Sequence, residues 1–245
     1  MPTTRIFKNT HELSAAAADI FVEAASEAIA LKGSFTIALT GGNSPKAMYQ
    51  LLATPAYSEK IDWANVYVFW GDERWVPLEN EKSNAKMSFD NLLNFVPVPA
   101  KQIFPMYNAA QTPEEFAAGY EQLIKNKVDA NGSFDLILLG MGDDGHTASL
   151  FPGTEVLKEQ TKWVDAYWLI AQDMYRITLT APLINKAKKI VVATFGETKT
   201  HALYEVLEGE RNATLYPSQL LKPENGELIF LVDEVAAQQL SNPAK

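Results

Sequence analysis

Two hydrophobic rhythms alternate along this chain. Leu13, Ala17, Ile20, Phe21, Ala24 and Ala28 recur at the spacing that lines one face of a helix, behind a capping pair formed by Asn9 and Glu12. Phe35–Leu39 then reads as a buried strand, broken by the polar turn from Thr40 to Pro45. With Ser44 as N-cap and Pro45 at the first helical position, a helix is predicted through Leu52. Val66–Trp70 is a second strand, followed by a loop and a helical pattern carrying Phe89, Leu92 and Leu93. Beyond a proline-rich passage from Pro97 to Pro105, the residues Phe116, Tyr120, Leu123 and Ile124 mark a helix feeding the strand Leu136–Leu139. Arg176–Thr180, Ile190–Thr194 and Leu228–Val232 are further strands, while Thr198–Leu207 and the tail from Glu234 are predicted helices. Continuous apolar strands alternating with helices specify an α/β protein with a mainly parallel sheet covered on both faces. No repeat or low-complexity tract interrupts the pattern, and the Pro97–Pro105 passage is too short and apolar for a linker. Residues 1–245 are therefore expected to form a single domain.

In such a sheet, ligands bind beyond the carboxyl ends of the strands. Three polar, glycine-containing loops fall there, after Leu39, Trp70 and Leu139. Charge narrows the partners. Thirty acidic residues against 21 basic ones leave a net charge of −9, which argues against nucleic acid and anionic membranes. An anionic ligand would have to be held locally by a few placed cations. The absence of cysteine excludes disulfides, thiolate metal sites and a cysteine nucleophile. The N-terminus lacks a basic stretch followed by an apolar run, and no apolar segment is long enough to span a bilayer, so a cytoplasmic location is expected.

The third loop poses the sharpest question. Gly140-Met141-Gly142-Asp143-Asp144-Gly145 spells G-x-G-x-x-G directly after a strand, with Asp165 at the distance of a ribose-binding carboxylate. Yet Asp143 and Asp144 put two carboxylates where a pyrophosphate would have to approach, and Pro152-Gly153 cuts short any long helix. The alternative is a sharp turn that presents Asp144 and His146 beside a ligand, with the carboxylate holding the imidazole in one tautomer as a general base. A loop histidine satisfied by backbone is the plain competitor. Gly41, Gly42, Asn43 and Ser44 form either an anion-binding strand–loop–helix turn or an ordinary well-capped one. Asp72, Glu73 and Arg74 form either a solvated charge cluster or part of a site. Only four arginines occur, and Arg74 and Arg176 both lie at strand ends, where a guanidinium suits oxyanion or phosphate recognition. Lys199, between a strand and a helix, could reach the same crevice. The three histidines have no metal-ligand spacing, so no metal site is expected.

Taken together, "LTGGNSPKAMYQLL", "VFWGDERWVPLENEKSNAKM", "LILLGMGDDGHTASLFPG" and "RITLTAPLINKA" resemble, in order, the signature segments of the 6-phosphogluconolactonase family. The resemblance spans roughly residues 35–207. It implies a three-layer α/β/α, Rossmann-like fold similar to that of the glucosamine-6-phosphate deaminases. It further implies hydrolysis of 6-phospho-D-glucono-1,5-lactone, with neither cofactor nor metal. Deaminases are the rival: they resemble D-E-Y at the second loop, and A-F-N-E-P after the D-G-H segment, whose glutamate assists ring opening. Here the corresponding residues are Arg74 and Phe151, and both departures favour the lactonase. Asn43 stands where serine is more usual in the lactonase phosphate loop, which matters little if backbone N–H groups bind the phosphate. The roles expected from the resemblance are phosphate binding by Gly41, Gly42, Asn43, Ser44, Arg176 and Lys199, and general-base catalysis by His146 oriented by Asp144. Arg74 would stabilise the oxyanion or orient carboxylates, with Asp72 behind it. Ser149 is not set in a nucleophile elbow, so no covalent intermediate is expected. The partner would be a small sugar-phosphate lactone, and the chain a monomer or weak dimer.

Overall fold

The computed structural model describes residues 2–129 and 131–241. In chain order the elements are β1 (Thr3–Phe7), α1 (Thr10–Lys32), β2 (Phe35–Leu39), α2 (Lys46–Leu52), α3 (Pro55–Ser58), β3 (Val66–Trp70), β4 (Asp72–Arg74) and α4 (Asn84–Ser88). They continue as α5 (Pro113–Lys127), β5 (Leu136–Gly140), β6 (Val164–Leu169), β7 (Met174–Leu179), α6 (Ala181–Ile184), β8 (Lys189–Thr194), α7 (Thr200–Leu207) and β9 (Glu227–Asp233). Six strands form one sheet in the order β1-β9-β8-β5-β2-β3. Every pairing in it is parallel. Helices lie on both of its faces, the three-layer arrangement expected.

Local chemistry sets the helix ends. Asn9 accepts the Glu12 N–H at the start of α1, and Gly33, at φ 76°, closes it in the left-handed conformation that glycine adopts without strain. Between those caps, Leu13, Ala17, Ile20, Phe21, Ala24 and Ala28 are buried, as their spacing predicts. The α2 start differs from expectation. Lys46 is its first residue, and Pro45 takes the cap position with φ −85°, so the Ser44 hydroxyl caps nothing. The proline ring holds φ near the helical range one position early. From within α2, the buried Tyr49 hydroxyl donates to Thr40 O at 2.8 Å and accepts from Thr40 N at 3.1 Å, which pins the turn that follows β2.

A second sheet, antiparallel and ordered β4-β7-β6, was not foreseen. Asp72–Arg74 is a strand and not part of a loop, and Arg176 belongs to this sheet and not to the parallel one. The chain leaves the main sheet at Gly71, whose N–H donates to Leu39 O while its carbonyl accepts from Leu179 N, both at 2.8 Å. The small sheet therefore stands at the carboxyl end of β2 and β3. Two further expectations shift. The Phe89–Leu93 stretch is a single wide π turn continuing α4, and within the described residues the tail beyond Glu234 holds only a 3-10 turn, Ala236–Gln239. Residues 242–245 of that tail lie outside the described residues. No helix among the described residues is long and apolar enough to cross a membrane.

Candidate active site

Strand β2 is followed in the chain by β3 on one side, whereas β5 pairs on its other side, which makes the gap between β2 and β5 the topological switch point of the sheet. A cleft of about 390 Å³ opens there. The turn after β2 supplies Gly41, Gly42, Asn43 and Ser44; the small sheet supplies Asp72, Arg74 and Arg176; the loop after β5 supplies His146; and the segment after β8 supplies Lys199. All nine residues line this one space. Asp144, the remaining expected residue, stands behind His146, with its carboxylate 2.5 Å from Nδ1.

The loop after β5 is folded tightly around that pair. Gly142 N donates to His146 O at 2.8 Å and Gly145 N to Gly142 O at 3.1 Å, so two of the N–H groups that a pyrophosphate would need are already used. The Asp144 carboxylate also accepts the His146 backbone N–H at 3.0 Å. Partial burial raises the Asp144 pKa, but the bonds from His146 outweigh it and hold the carboxyl below the ordinary aspartate range. An ionised Asp144 keeps the shared proton on Nδ1, leaving the Nε2 lone pair free to accept another. Gly142 is needed for this packing, because the imidazole and the Asp144 carboxylate occupy the space a β-carbon would fill. Gly145, at φ 75°, sits against Tyr216, and its carbonyl accepts from Ser218 N at 2.9 Å.

The part of the cleft formed by the small sheet is cationic. Arg74 and Arg176 are directly paired across β4 and β7, an arrangement of like charges that is unfavourable unless anions offset it. Arg176 is 2% exposed and bonds Gln172, and its NH1 lies 3.7 Å from the Asp72 carboxylate. Burial lowers its pKa; Asp72 opposes that, and the charge of Arg74 adds to it. The guanidinium stays a cation throughout. Arg74 donates from NH1 to Lys82 O at 2.7 Å. The Nε atoms of both arginines are buried and without a protein partner among the described residues. Two half-satisfied guanidinium groups facing one cleft suit an anionic ligand. None of the N–H groups from Gly41 to Ser44 is taken up by a turn or side-chain hydrogen bond among the described residues, which leaves a second set of donors at the other edge.

Asn84 and Gln172 escaped the sequence, and Phe151 entered it only as a position that cannot transfer protons. Asn84 lies 12 positions beyond Asp72, donates to Asp72 O at 2.9 Å, and packs so closely on Gly41 that no side chain fits there. It is brought in by Glu73, a fully buried carboxylate that accepts the N–H groups of Arg74, Asn84 and Ala85 and the Ser83 hydroxyl. Burial pushes the Glu73 carboxyl up to about 7, against the pull of those three backbone N–H groups. Phe151 and Gln172 also line the cleft. Ser149 is buried and donates to Asp72 at 2.6 Å, so its hydroxyl serves to hold that carboxylate. Among the described residues no group of three His, Asp or Glu side chains is placed to hold a metal ion.

An oriented imidazole in one cleft with two arginines and a lysine, at the switch point of a parallel sheet, is the equipment of an enzyme for a small anionic substrate. A family model described as glucosamine-6-phosphate isomerases/6-phosphogluconolactonase matches residues 8–230, and the chain belongs to that family. It is 42% identical over 219 residues to a 6-phosphogluconolactonase of Synechocystis sp., covering 88% of each chain. A Nostoc sp. 6-phosphogluconolactonase is 36% identical, with 98% of each chain covered. The solved 6-phosphogluconolactonase of Trypanosoma brucei superposes with a TM-score of 0.85 at 29% identity, covering 98% of this chain and 99% of that one. A monomeric glucosamine-6-phosphate deaminase shares the fold, with a TM-score of 0.83 at 22% identity over 96% of this chain and 99% of its own.

Proposed function

We propose that this chain hydrolyses 6-phospho-D-glucono-1,5-lactone to 6-phosphogluconate, the second step of the oxidative pentose phosphate pathway. The observation that carries the reading is the Asp144-bonded His146 lining one cleft with Arg74, Arg176 and Lys199. In the mechanism, the substrate phosphate lies between Arg176, Lys199 and the Gly41–Ser44 backbone, and the lactone carbonyl faces His146. Nε2 takes a proton from water as its oxygen attacks the carbonyl carbon, and Asp144 stabilises the imidazolium that forms. Arg74 faces the oxygen on which charge develops, while Asp72, held by Asn84 and Ser149, fixes Arg176. Collapse of the tetrahedral intermediate breaks the ring C–O bond, and the imidazolium returns its proton to the leaving ring oxygen. A lactone is a reactive ester, so a general base and an oxyanion donor, each worth roughly 10²–10³-fold, suffice without a covalent intermediate.

Phe151 favours this chemistry over deamination, since it places a ring that cannot transfer protons next to His146. The test is hydrolysis of freshly made 6-phosphogluconolactone, with spontaneous hydrolysis subtracted, run beside a glucosamine-6-phosphate deaminase assay on the same preparation. Lactonase turnover that falls by at least ~10²-fold in His146→Ala is expected. Deaminase turnover, or an unchanged rate in that variant, would refute the reading.

A further inference from the structure

Hydrogen bonds leave both reacting edges of the cleft under-determined. His146 is held to its side-chain partner by a single bond from Nδ1, and its side chain is 26% exposed. That bond and the close approach of Gly142 hold one edge of the imidazole, while the other face of the ring is set by what packs against it. Arg176 is held through its terminal nitrogens, with Nε unpartnered. One residue touches both groups. The Phe151 ring stacks on His146 with centroids 4.0 Å apart and planes 22° from parallel, and the Arg176 Cζ lies over the same ring at 5.4 Å from its centroid. Phe151 is itself rigidly mounted. It is 9% exposed, its carbonyl accepts the Thr154 hydroxyl at 2.6 Å, and Gly153 N is tied to Thr214 O at 3.0 Å.

We propose that Phe151 is a positioning residue whose ring fixes the plane of the His146 imidazole and its separation from the Arg176 guanidinium, so that base and cation address two ends of one substrate. The ring does this with its faces. A π face carries partial negative charge, so it attracts a guanidinium and stacks on an imidazole, and it favours the imidazolium formed after proton transfer. An aliphatic side chain of similar volume would fill the space but would neither orient a plane nor attract a cation. A base displaced by about 1 Å from its working position can cost on the order of 10²-fold in rate.

The consequence for rate rests on the lactonase reading, so the experiment has a second arm that does not. Phe151→Tyr keeps the ring; Phe151→Leu and Phe151→Met remove it, and the two are made together so that a folding defect in one does not decide the outcome. In the lactonase assay the aliphatic variants are expected to lose roughly 10–100-fold in kcat/KM, with most of the loss in kcat, while Phe151→Tyr stays within about threefold of the parent. In the other arm, ¹⁵N-histidine NMR at about pH 8.5 reads the tautomer of His146, assigned among the three histidines with His146→Ala. The parent and Phe151→Tyr should show one sharp Nδ1–H form, and the aliphatic variants, whose ring loses its plane and with it the alignment of the Nδ1–Asp144 bond, an exchange-broadened or averaged pattern. Unaltered nitrogen shifts in the aliphatic variants would overturn the proposal even if the rate fell, because the ring would then act by filling space. Equal rate losses in Phe151→Tyr and Phe151→Leu would overturn it as well. An inactive parent with the expected nitrogen pattern would remove the lactonase reading and leave the role of Phe151 standing.

Discussion

Gly142→Ala isolates the proposed catalytic pair, His146 and Asp144, from the fold that carries it. A β-carbon at 142 would stand 2.5 Å from the Asp144 carboxylate and closer still to Nδ1 and Cε1 of His146, where ordinary contact begins at 3.4 Å. The pair must therefore retreat by about 1 Å, the displacement that costs on the order of 10²-fold in rate when reacting groups are misplaced. Backbone strain adds nothing, because Gly142 is not among the glycines with positive φ. Gly→Ala at a compatible backbone position stabilises by about 0.4–1 kcal/mol through the unfolded chain, which partly offsets the local crowding. Thermal unfolding should thus shift by only a few degrees while kcat falls by about two orders of magnitude. Gly140→Ala is the control. Its β-carbon would meet nothing nearer than Ser44 Oγ at 3.9 Å, and it too lacks a positive φ. Initial-rate measurements on both variants beside calorimetric melting decide the matter. Equal activity in the two, or a parallel loss of activity and stability in Gly142→Ala, would refute the steric reasoning.

Asp144→Asn should lower kcat by roughly 10²-fold or more, since the amide neither holds the Nδ1 proton in place nor stabilises an imidazolium; a rate near that of the parent would detach Asp144 from the chemistry. Arg176→Ala and Lys199→Ala should each cost about 10- to 100-fold in kcat/KM for the phosphorylated lactone, as a charge-assisted contact is worth about 1.5–3 kcal/mol, and much less for gluconolactone without phosphate. Equal losses on both substrates would remove these residues from phosphate recognition. Glu73 gives a pH signature. With a folded pKa of about 7 against 4.5 unfolded, its contribution to stability is complete below the unfolded value and is lost as the pH rises through 7. Glu73→Gln has nothing to titrate, so its stability relative to the parent should improve between about pH 5 and pH 8, by a few kcal/mol at most. Parallel pH profiles of unfolding would contradict this.

The central strands were legible because they are buried on both faces and so carry largely apolar runs, as Leu136–Leu139 does. β1 and β6 were not, since β1 alternates exposed with half-buried positions, β6 mixes buried with exposed ones, and neither shows such a run. Asp72-Glu73-Arg74 misled for a different reason. Charged residues are read as surface, yet Glu73 is 0% exposed, its carboxylate satisfied by backbone donors that no residue count reveals. The same hidden bonding explains Asn84, which reaches the cleft only because Glu73 pulls the intervening loop back. For His146 and Asp144 spacing suggested a pair but left a plain loop histidine open; the structure brings the two together because a pair two residues apart in a tight turn needs no distant partner. Phe151 was noticed for what it cannot do, and its contact with Arg176 depends on a strand from the other sheet.

The route of the chain at Gly71 also has a kinetic side. His146 sits on a loop of the parallel sheet, whereas Arg74 and Arg176 belong to the small antiparallel one, and the two sheets are joined by bonds such as Ser149 to Asp72 between residues 77 apart. Long-range pairings form late, after the loop entropy between them has been overcome. During refolding, helical signal should therefore return before turnover does. Catalytic competence would then mark the docking of one sheet on the other, and a chain stalled just short of that step would look native to far-UV light while remaining inert.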